Sequence, residues 1–237
     1  MKKAPVVILH GWGASSKSFE EVKTLLEQEG FSVDAVDLPG FGNEPLVKDP
    51  MTFEDYLAFI EKKIGKEKVI LIGHSFGGRL AIKFTAENPK RVEKLILTGA
   101  SGIPRPLPSF RKKAIFVITK LLGPFIFLLH KTVLYAYIRK LTYYAIGEMD
   151  YYKAGKLSDT FKRVYQISIL PDLAKITTPT LIVWGENDMV TPLLDGQTMQ
   201  SKIKDAKLIV VKGATHKLPY QMPHVFIEHI LPFLKTV

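Results

Sequence analysis

Short runs of Val, Ile and Leu recur along the chain, and most lack the alternation of apolar and polar residues that marks a half-exposed strand. Uninterrupted apolar runs of this length are typical of strands buried on both faces of a parallel sheet. The pattern predicts six such strands, over Val6 to Leu9, Phe31 to Leu38, Val69 to Gly73, Leu95 to Gly99, Thr180 to Trp184 and Lys207 to Val211.

Amphipathic helices are predicted between several of these strands. Ser16 is in position to cap a helix that ends near Gly30. Thr52, followed by Asp55, resembles a capping box ahead of a second helix. Strands that alternate with helices predict an α/β fold, with a mainly parallel sheet flanked by helices.

The alternation breaks after Ala100. Residues 102–170 contain no convincing strand, open with three prolines and continue as helical runs rich in Phe and Tyr, before strands resume at Thr180. We interpret this segment as a helical insertion between two strands of one sheet. The predicted organisation is a core domain of residues 1–101 and 171–237, with residues 102–170 inserted into it.

Composition excludes some kinds of site. The 237 residues include no Cys, which rules out disulfides, zinc–thiolate sites and cysteine nucleophiles. The apolar stretch near the N-terminus, Val6 to Leu9, is too short for the core of a secretory signal. We therefore expect a cytoplasmic protein.

The positive charge is concentrated in one segment. Residues 102–170 hold 12 Lys and Arg against three acids, and so carry +9 of the formal net charge of +10. Because the rest of the chain is nearly neutral, we expect no nucleic-acid partner. A basic, aromatic-rich segment is typical of a solvated roof over an apolar pocket, and it is also compatible with peripheral contact to an anionic membrane.

The segment Gly73-His74-Ser75-Phe76-Gly77 fits the pattern GxSxG. In this motif the serine lies on a sharp turn between a strand and a helix, and glycines are needed where the two approach closely. The context fits, because an apolar run precedes the motif and a helical pattern follows it. Ser75 is therefore the candidate nucleophile.

Two acids compete for a role beside it. Asp188 lies just past a predicted strand, on the side where active sites of open α/β sheets collect. Its alternative role is that of an Asx-turn residue. Glu186 is the nearest rival, but its early position in the turn makes it less suited to reach over the end of the sheet. We predict that Asp188 orients the catalytic base.

Among six histidines, His216 alone follows a late predicted strand, and we predict that it is the general base. His224 and His229 fall in the closing helical pattern. The first strand ends in the segment His10 to Gly13, which is either an ordinary Gly-rich turn or a source of backbone N–H groups for an oxyanion hole. The N–H of the residue after the serine would complete that hole.

The chain order Ser, Asp, His is that of the α/β-hydrolases. The chain resembles this superfamily, in particular the small lidded esterases and the carboxylesterase of biotin synthesis. The shared motifs are HGWG at 10–13, DLPGFG at 37–42, GHSFGG at 73–78, WGEND at 184–188 and GATH at 213–216. The resemblance implies backbone oxyanion donors at Trp12 and Phe76, and it makes residues 102–170 a lid.

One departure from the family concerns the start of the sheet. Family members usually begin with two strands before the HG motif, whereas only five residues precede Val6 here. We therefore expect a six-stranded sheet that lacks this edge pair.

The function expected from these residues is that of a serine carboxylesterase. It would hydrolyse short- to medium-chain esters through an acyl-enzyme on Ser75, with no metal or organic cofactor. Alternatives are a lysophospholipase-like or monoacylglycerol-lipase-like enzyme at anionic membranes, and a carbon–carbon bond hydrolase. A further alternative is a receptor that has kept a hydrolase pocket. The motifs are specific for the fold, and leave the substrate and the oligomeric state open.

Overall fold

The computed structural model describes residues 3–104, 132, 134–135, 137–138, 140–141 and 154–236. Most of the predicted lid lies outside the described residues. The boundaries of the lid and the division of the chain into core and insertion therefore stay predictions.

Six strands form one sheet in the order β2-β1-β3-β4-β5-β6, and all five neighbouring pairs are parallel. The predicted six-stranded α/β-hydrolase architecture is confirmed. The strands are β1 Val6–Leu9, β2 Val33–Val36, β3 Val69–His74, β4 Val92–Thr98, β5 Thr180–Gly185 and β6 Lys207–Val211.

Two strands differ from the prediction by more than one residue at an end. β2 is an edge strand that pairs only with β1, over four residues, and is therefore shorter than its apolar run. β4 begins three residues early, at Val92, where it pairs with Val69 beside a register shift. The prediction began later because the polar residues Glu93 and Lys94 interrupt the apolar run after Val92.

The described helices alternate with the strands as the sequence pattern predicts. They are α1 Glu20–Gln28, α2 Phe53–Ile64, α3 Phe76–Glu87, α4 Ser158–Tyr165, α5 Leu170–Leu173, α6 Leu193–Lys202, α7 Leu218–Gln221 and α8 Pro223–Lys235. Short 3-10 turns cover Ser16–Phe19, Pro89–Arg91 and Gly155–Leu157.

The sheet is covered on both faces, which explains its apolar strands. On one face, α2, α3 and α6 bury side chains such as Tyr56, Leu80 and Met199 against it. On the other face, α1 and α8 bury side chains such as Leu26 and Phe226. With both faces covered, the central strands have no solvent side on which polar residues could alternate.

One predicted helix cap is confirmed and the other is wrong. Thr52 and Asp55 form a reciprocal capping box at the start of α2. Ser16 does not cap α1, because it lies inside the preceding 3-10 turn. Its N–H donates instead to the Asp37 carboxylate at 2.6 Å.

The strand order predicts a crevice at the edge of the sheet that is formed by the carboxyl ends of its strands. After β1 the chain moves outward to β2 and then returns to the other side of β1 for β3. Ligands of open α/β sheets bind at such reversals, outside the carboxyl ends of the strands. The same edge carries the loops with the candidate residues Trp12, Ser75, Asp188 and His216.

Candidate active site

The backbone of Ser75 is strained. Its φ of 53° and ψ of −114° lie where non-glycine residues are rare, and Asp205 is the other described non-glycine residue with positive φ. Its N–H donates to the Thr98 carbonyl at 3.2 Å, and its own carbonyl accepts from the N–H groups of Ser101 and Arg79. Strain of this kind persists where the surroundings over-determine the conformation, and it is concentrated at functional sites.

Glycines make the turn possible. A Cβ on Gly77 would lie 2.2 Å from the Leu9 carbonyl oxygen, and a Cβ on Gly73 would lie 2.7 Å from the Gly78 Cα. The Gly77 N–H donates to the His10 carbonyl at 3.0 Å. The turn that carries the candidate nucleophile is thereby held directly against the end of β1.

The loop after β1 lies beside the same serine. A Cβ on Gly11 would be 3.1 Å from the Ser75 Cβ, so the two segments are in close contact. The backbone N–H groups of Trp12 and Phe76, the predicted oxyanion donors, have no hydrogen-bond partner among the described residues. Phe76 is the first residue of α3, where an N–H has no acceptor inside the helix. Neither N–H group is therefore engaged by another described residue.

Asp188 and His216 are in direct contact. Asp188 Oδ2 lies 2.8 Å from His216 Nδ1. Asp188 Oδ1 accepts from the N–H groups of Val190 and Thr191, at 2.9 and 2.8 Å. Burial by itself raises the pKa of the Asp188 carboxyl, but the hydrogen bond and charge of His216 and the bonds from Thr191 outweigh it, so this pKa is lowered. The carboxylate is thus ionised and faces Nδ1, which leaves Nε2 as the nitrogen that can take a proton.

Thr191 completes this arrangement, and the sequence reasoning missed it. Its buried hydroxyl lies 2.8 Å from Asp188 Oδ2 and 3.1 Å from both the Gly99 carbonyl oxygen and His216 Nδ1. The Trp184 indole N–H donates to the Thr191 carbonyl at 2.9 Å. The spacing Asp-x-x-Thr at a strand end is the signal that could have identified it, because Thr side chains in turns bond to neighbouring groups.

Gly99 is a second residue that the sequence reasoning missed. Its φ is +52°, and a Cβ here would lie 2.9 Å from His216 Nδ1 and 3.3 Å from Asp188 Oδ2. A side chain at this position would collide with the Asp–His pair. The requirement could not be read from the sequence, since Gly99 is more than eighty residues from either partner.

Glu186, the rival acid, has a different partner. Its Oε2 accepts from the Gly213 N–H at 2.9 Å, in the loop that leads to His216. The Asx-turn interpretation of Asp188 also holds, because Oδ1 accepts from residues two and three positions on. Asp188 therefore has both geometries, one on each carboxylate oxygen.

Two further histidines lie close to the site in neutral form. Burial and the nearby charge of His216 lower the pKa of His74 to about 3, although its Nδ1 bonds to the Thr98 carbonyl at 3.0 Å. Burial also lowers the pKa of His10, whose Nε2 accepts from the Leu38 N–H at 3.0 Å. Neither ring is arranged to act as the base.

His216 and Ser75 are neighbours without a hydrogen bond. The His216 ring lies 4.7 Å, between centroids, from the ring of His74, the residue before Ser75. Among the described residues, the side chain of His216 bonds to Asp188 and Thr191 and not to Ser75 Oγ. Bonds between base and nucleophile often tighten only when substrate binds.

An aromatic cluster borders the candidate nucleophile. The Trp12 ring meets those of Phe41, Phe76, Phe161 and Tyr165 edge-on, with centroids 4.9 to 5.9 Å apart. The last two stack on each other at 3.9 Å, and both come from α4. The wall beside the turn that carries Ser75 is therefore apolar.

The family profile described as "Alpha/beta hydrolase family" matches residues 6–229. The chain belongs to the α/β hydrolase family. A curated relative, 2-hydroxy-6-oxononadienedioate/2-hydroxy-6-oxononatrienedioate hydrolase of Klebsiella pneumoniae, is 26% identical over 98% of this chain and 87% of its own length.

Solved structures of two esterases share the α/β hydrolase fold. The esterase of Exiguobacterium antarcticum superposes with a TM-score of 0.72 at 23% identity, covering 100% of this chain and 94% of its own. A thermophilic esterase of Thermogutta terrifontis gives 0.70 at 21% identity, covering 99% of this chain and 90% of its own. At these identities the likeness shows the fold alone. The narrower resemblance to the carboxylesterase of biotin synthesis stays a prediction.

Two kinds of feature are absent from the described residues of this α/β hydrolase. Within the ranges that the structure describes, no group of three His, Asp or Glu side chains is placed to hold a metal ion. Within the same ranges, no helix is both long and apolar enough to cross a bilayer.

Proposed function

We propose that this α/β hydrolase is a serine esterase in which Ser75 is the nucleophile, His216 the general base and Asp188 the residue that orients it. The observation that carries the proposal is the Asp188 Oδ2 to His216 Nδ1 contact of 2.8 Å. It lies at the same sheet edge as the strained turn of Ser75. A buried, ionised carboxylate on Nδ1 fixes the tautomer whose Nε2 accepts a proton.

In the first half of the proposed reaction, His216 Nε2 takes the hydroxyl proton of Ser75 as Oγ forms a bond to the ester carbonyl carbon. The carbonyl oxygen becomes an oxyanion, and the free N–H groups of Trp12 and Phe76 are the donors at hand for it. The C–O bond to the alcohol then breaks, and the proton on His216 passes to the departing alcohol. Ser75 is left acylated.

The second half uses the same groups. Water gives a proton to His216 as its oxygen attacks the acyl carbon, and the oxyanion forms again at the same donors. The bond to Ser75 Oγ breaks, the serine regains its proton from His216, and the carboxylic acid leaves. Every proton is transferred through one imidazole, so the step needs no further acid or base.

The aromatic wall supports an apolar acyl group. The rings of Trp12, Phe161 and Tyr165 present apolar faces and edges beside the turn that carries Ser75. Such surface favours a hydrocarbon chain over a charged group, because burial of a charge without a partner is costly.

The test is a panel of p-nitrophenyl esters of increasing acyl length, run with wild type and with Ser75→Ala. We expect multiple turnovers with a preference for short to medium chains, and a loss of several orders of magnitude in the variant. Binding without repeated turnover would instead identify a receptor that has kept the hydrolase pocket. A variant that keeps more than a tenth of the activity would contradict the proposal.

A carbon–carbon bond hydrolase is the second candidate, favoured by the name of the Klebsiella relative. Its substrate name describes a dioate with a 2-hydroxy-6-oxo-diene, so the assay is the loss of the dienol absorbance of such a compound. If kcat/KM for this compound exceeds that for every ester of the panel, the carbon–carbon assignment replaces the ester assignment. Both reactions use Ser75, so its replacement does not distinguish them, whereas the substrate comparison does.

A further inference from the structure

Exposed large apolar side chains are concentrated next to the candidate active site. In the loop after β5 and the first turn of α6, Met189 is 89% exposed, Val190 49% and Leu194 68%. Single exposed apolar residues are ordinary on protein surfaces, whereas several together are typical of a binding surface. All three follow Asp188 within six residues.

The neighbouring loop adds positive charge. The Asn187 N–H donates to the Ala214 carbonyl at 2.8 Å, which joins the loop after β5 to the loop after β6. This second loop carries the exposed Lys212 and Lys217 on either side of the turn that presents the candidate base. We call the set Met189, Val190, Leu194, Lys212 and Lys217 the mouth patch.

The acid nearest to the mouth patch forms no ion pair with its lysines among the described residues. Glu186 is the exposed acid of these two loops, and its carboxylate accepts from the Gly213 N–H rather than pairing with either lysine. The aspartates of the same stretch, Asp188 and Asp195, are buried. The exposed side chains of the patch are thus apolar or cationic.

The predicted lid repeats the combination. Leu134, Tyr137 and Leu141 are 53%, 59% and 48% exposed and stand three and four residues apart, a helical spacing, with Lys140 exposed between the last two. They belong to the segment that carries +9 of the net charge. Because this segment leaves the core after β4 and returns before α4, it begins at the edge of the sheet that bears the candidate site.

We infer that the mouth patch docks onto an anionic lipid surface. Apolar side chains beside lysines match a bilayer, where the former enter the acyl boundary and the latter meet lipid phosphates. A second copy of the chain fits poorly, since it would bring two cationic surfaces of a protein with net charge +10 together. Docking through this surface places the candidate site at the interface, and the use of lipid-borne esters there rests on the proposed function.

The test is co-sedimentation of the full chain with vesicles of phosphatidylcholine, alone or mixed with phosphatidylglycerol, at about 0.1 M and about 1 M salt. Wild type is expected to bind the anionic vesicles at low salt and to dissociate at high salt. Met189→Ser/Leu194→Ser removes the apolar part and is expected to weaken binding by about tenfold or more. Lys212→Gln/Lys217→Gln is expected to weaken it by roughly fivefold per lysine at low salt.

The matched control is Val47→Ser. Val47 is 70% exposed in the loop after β2, and β2 and β6 are the two outermost strands of the sheet, on opposite sides of it, so replacement of Val47 is expected to leave binding unchanged. Turnover of a soluble ester is measured on the same proteins, and Met189→Ser/Leu194→Ser should keep it. Vesicle binding without any ester turnover would sink the proposed function and leave the docking surface standing.

Three results would overturn the inference. The first is no preference of wild type for anionic vesicles at low salt. The second is equal binding by Met189→Ser/Leu194→Ser and wild type, which would assign the binding to charge elsewhere. The third is a change of oligomeric state in that variant on size-exclusion chromatography without a loss of vesicle binding, which would assign the patch to a second copy of the chain.

Discussion

At the scale of single residues, the position of the Asp188 carboxylate is fixed by backbone and side-chain donors on both of its oxygens. The carboxylate of Glu186, two residues earlier, accepts only from the backbone N–H of Gly213 among the described residues. The two acids of one short turn therefore differ in what they support, which gives a matched pair for mutation.

We predict that Asp188→Asn lowers kcat/KM for an ester by up to about 10⁴-fold, because the amide no longer fixes the imidazole tautomer. Glu186→Gln should lower it far less, since its amide oxygen still accepts from Gly213. Steady-state kinetics of the two purified variants measure the ranking. The reverse order would exchange the roles of the two acids.

For Thr191, we predict that Thr191→Val costs roughly ten- to hundredfold in kcat/KM, because a hydrogen bond to a charged carboxylate is lost while the shape is kept. Thr191→Ser restores the hydroxyl and should recover most of the activity. Equal losses in both variants, measured at equal thermal stability, would reduce Thr191 to a packing residue.

His74 gives a prediction on pH. Its folded-state pKa is about 3, against about 6.5 when unfolded, so the unfolded chain binds an extra proton between these values and stability falls as pH drops. At pH 5 the loss relative to neutral pH is about 2 kcal/mol. Urea unfolding at both pH values should show a smaller difference for His74→Asn than for wild type. An unchanged difference would mean that His74 is not the group responsible.

Much of the candidate site could be predicted because its chemistry sits on local motifs. Ser75 lies inside GxSxG, and Asp188 and His216 each follow an apolar run. Thr191 was missed although its Asp-x-x-Thr spacing is a local signal. Gly99 could not be found, because its role depends on contacts with segments that are distant in the chain. A residue that acts only through contacts with a distant segment leaves no local sequence pattern.

At the scale of elements, a lysine from the sheet caps the C-terminal end of α8. Lys94 on β4 is 8% exposed, and its ammonium donates to the carbonyls of Phe233 and Leu234 at 2.9 and 3.0 Å and to that of Thr236. The last carbonyl groups of a helix receive no hydrogen bond from an N–H within the helix, and they carry partial negative charge. A cation at this end is therefore favourable.

We predict that Lys94→Met lowers the free energy of unfolding by about 1 to 3 kcal/mol, because buried carbonyls lose a charged donor. Lys90→Met, at an exposed position between α3 and β4, is the control and should change it little. Urea denaturation of both variants measures the difference. Equal, small changes would mean that water replaces the lysine at no cost.

This same contact explains one limit of the sequence reasoning at this scale. The predicted strand began at Leu95, whereas Lys94 lies inside β4 and its ammonium group donates to the end of a helix about 140 residues later. Ser16 is not the cap of α1 because the chain forms a 3-10 turn over Ser16–Phe19 before that helix begins. Local propensity located the helices and strands, and tertiary contacts decided where they begin.

At the scale of the whole molecule, one parallel sheet gathers residues that are far apart in sequence. The carboxyl ends of β1, β3, β4, β5 and β6 carry, in turn, the loop of the proposed oxyanion donor Trp12, the candidate nucleophile Ser75, Gly99, Asp188 and His216. The sequence order of buried strands was enough to predict this edge. The substrate was not predictable, because it depends on the surface that closes over the edge and on the shape of the aromatic wall.

The most direct test of the account is covalent labelling by a fluorophosphonate, which reacts with serine nucleophiles of both ester and carbon–carbon hydrolases. We predict stoichiometric phosphonylation of wild type, mapped by peptide mass spectrometry to Ser75, with parallel loss of ester turnover. Ser75→Ala should remain unlabelled while its circular dichroism and thermal midpoint match those of wild type. Labelling at another residue, or full turnover after stoichiometric modification of Ser75, would contradict the account.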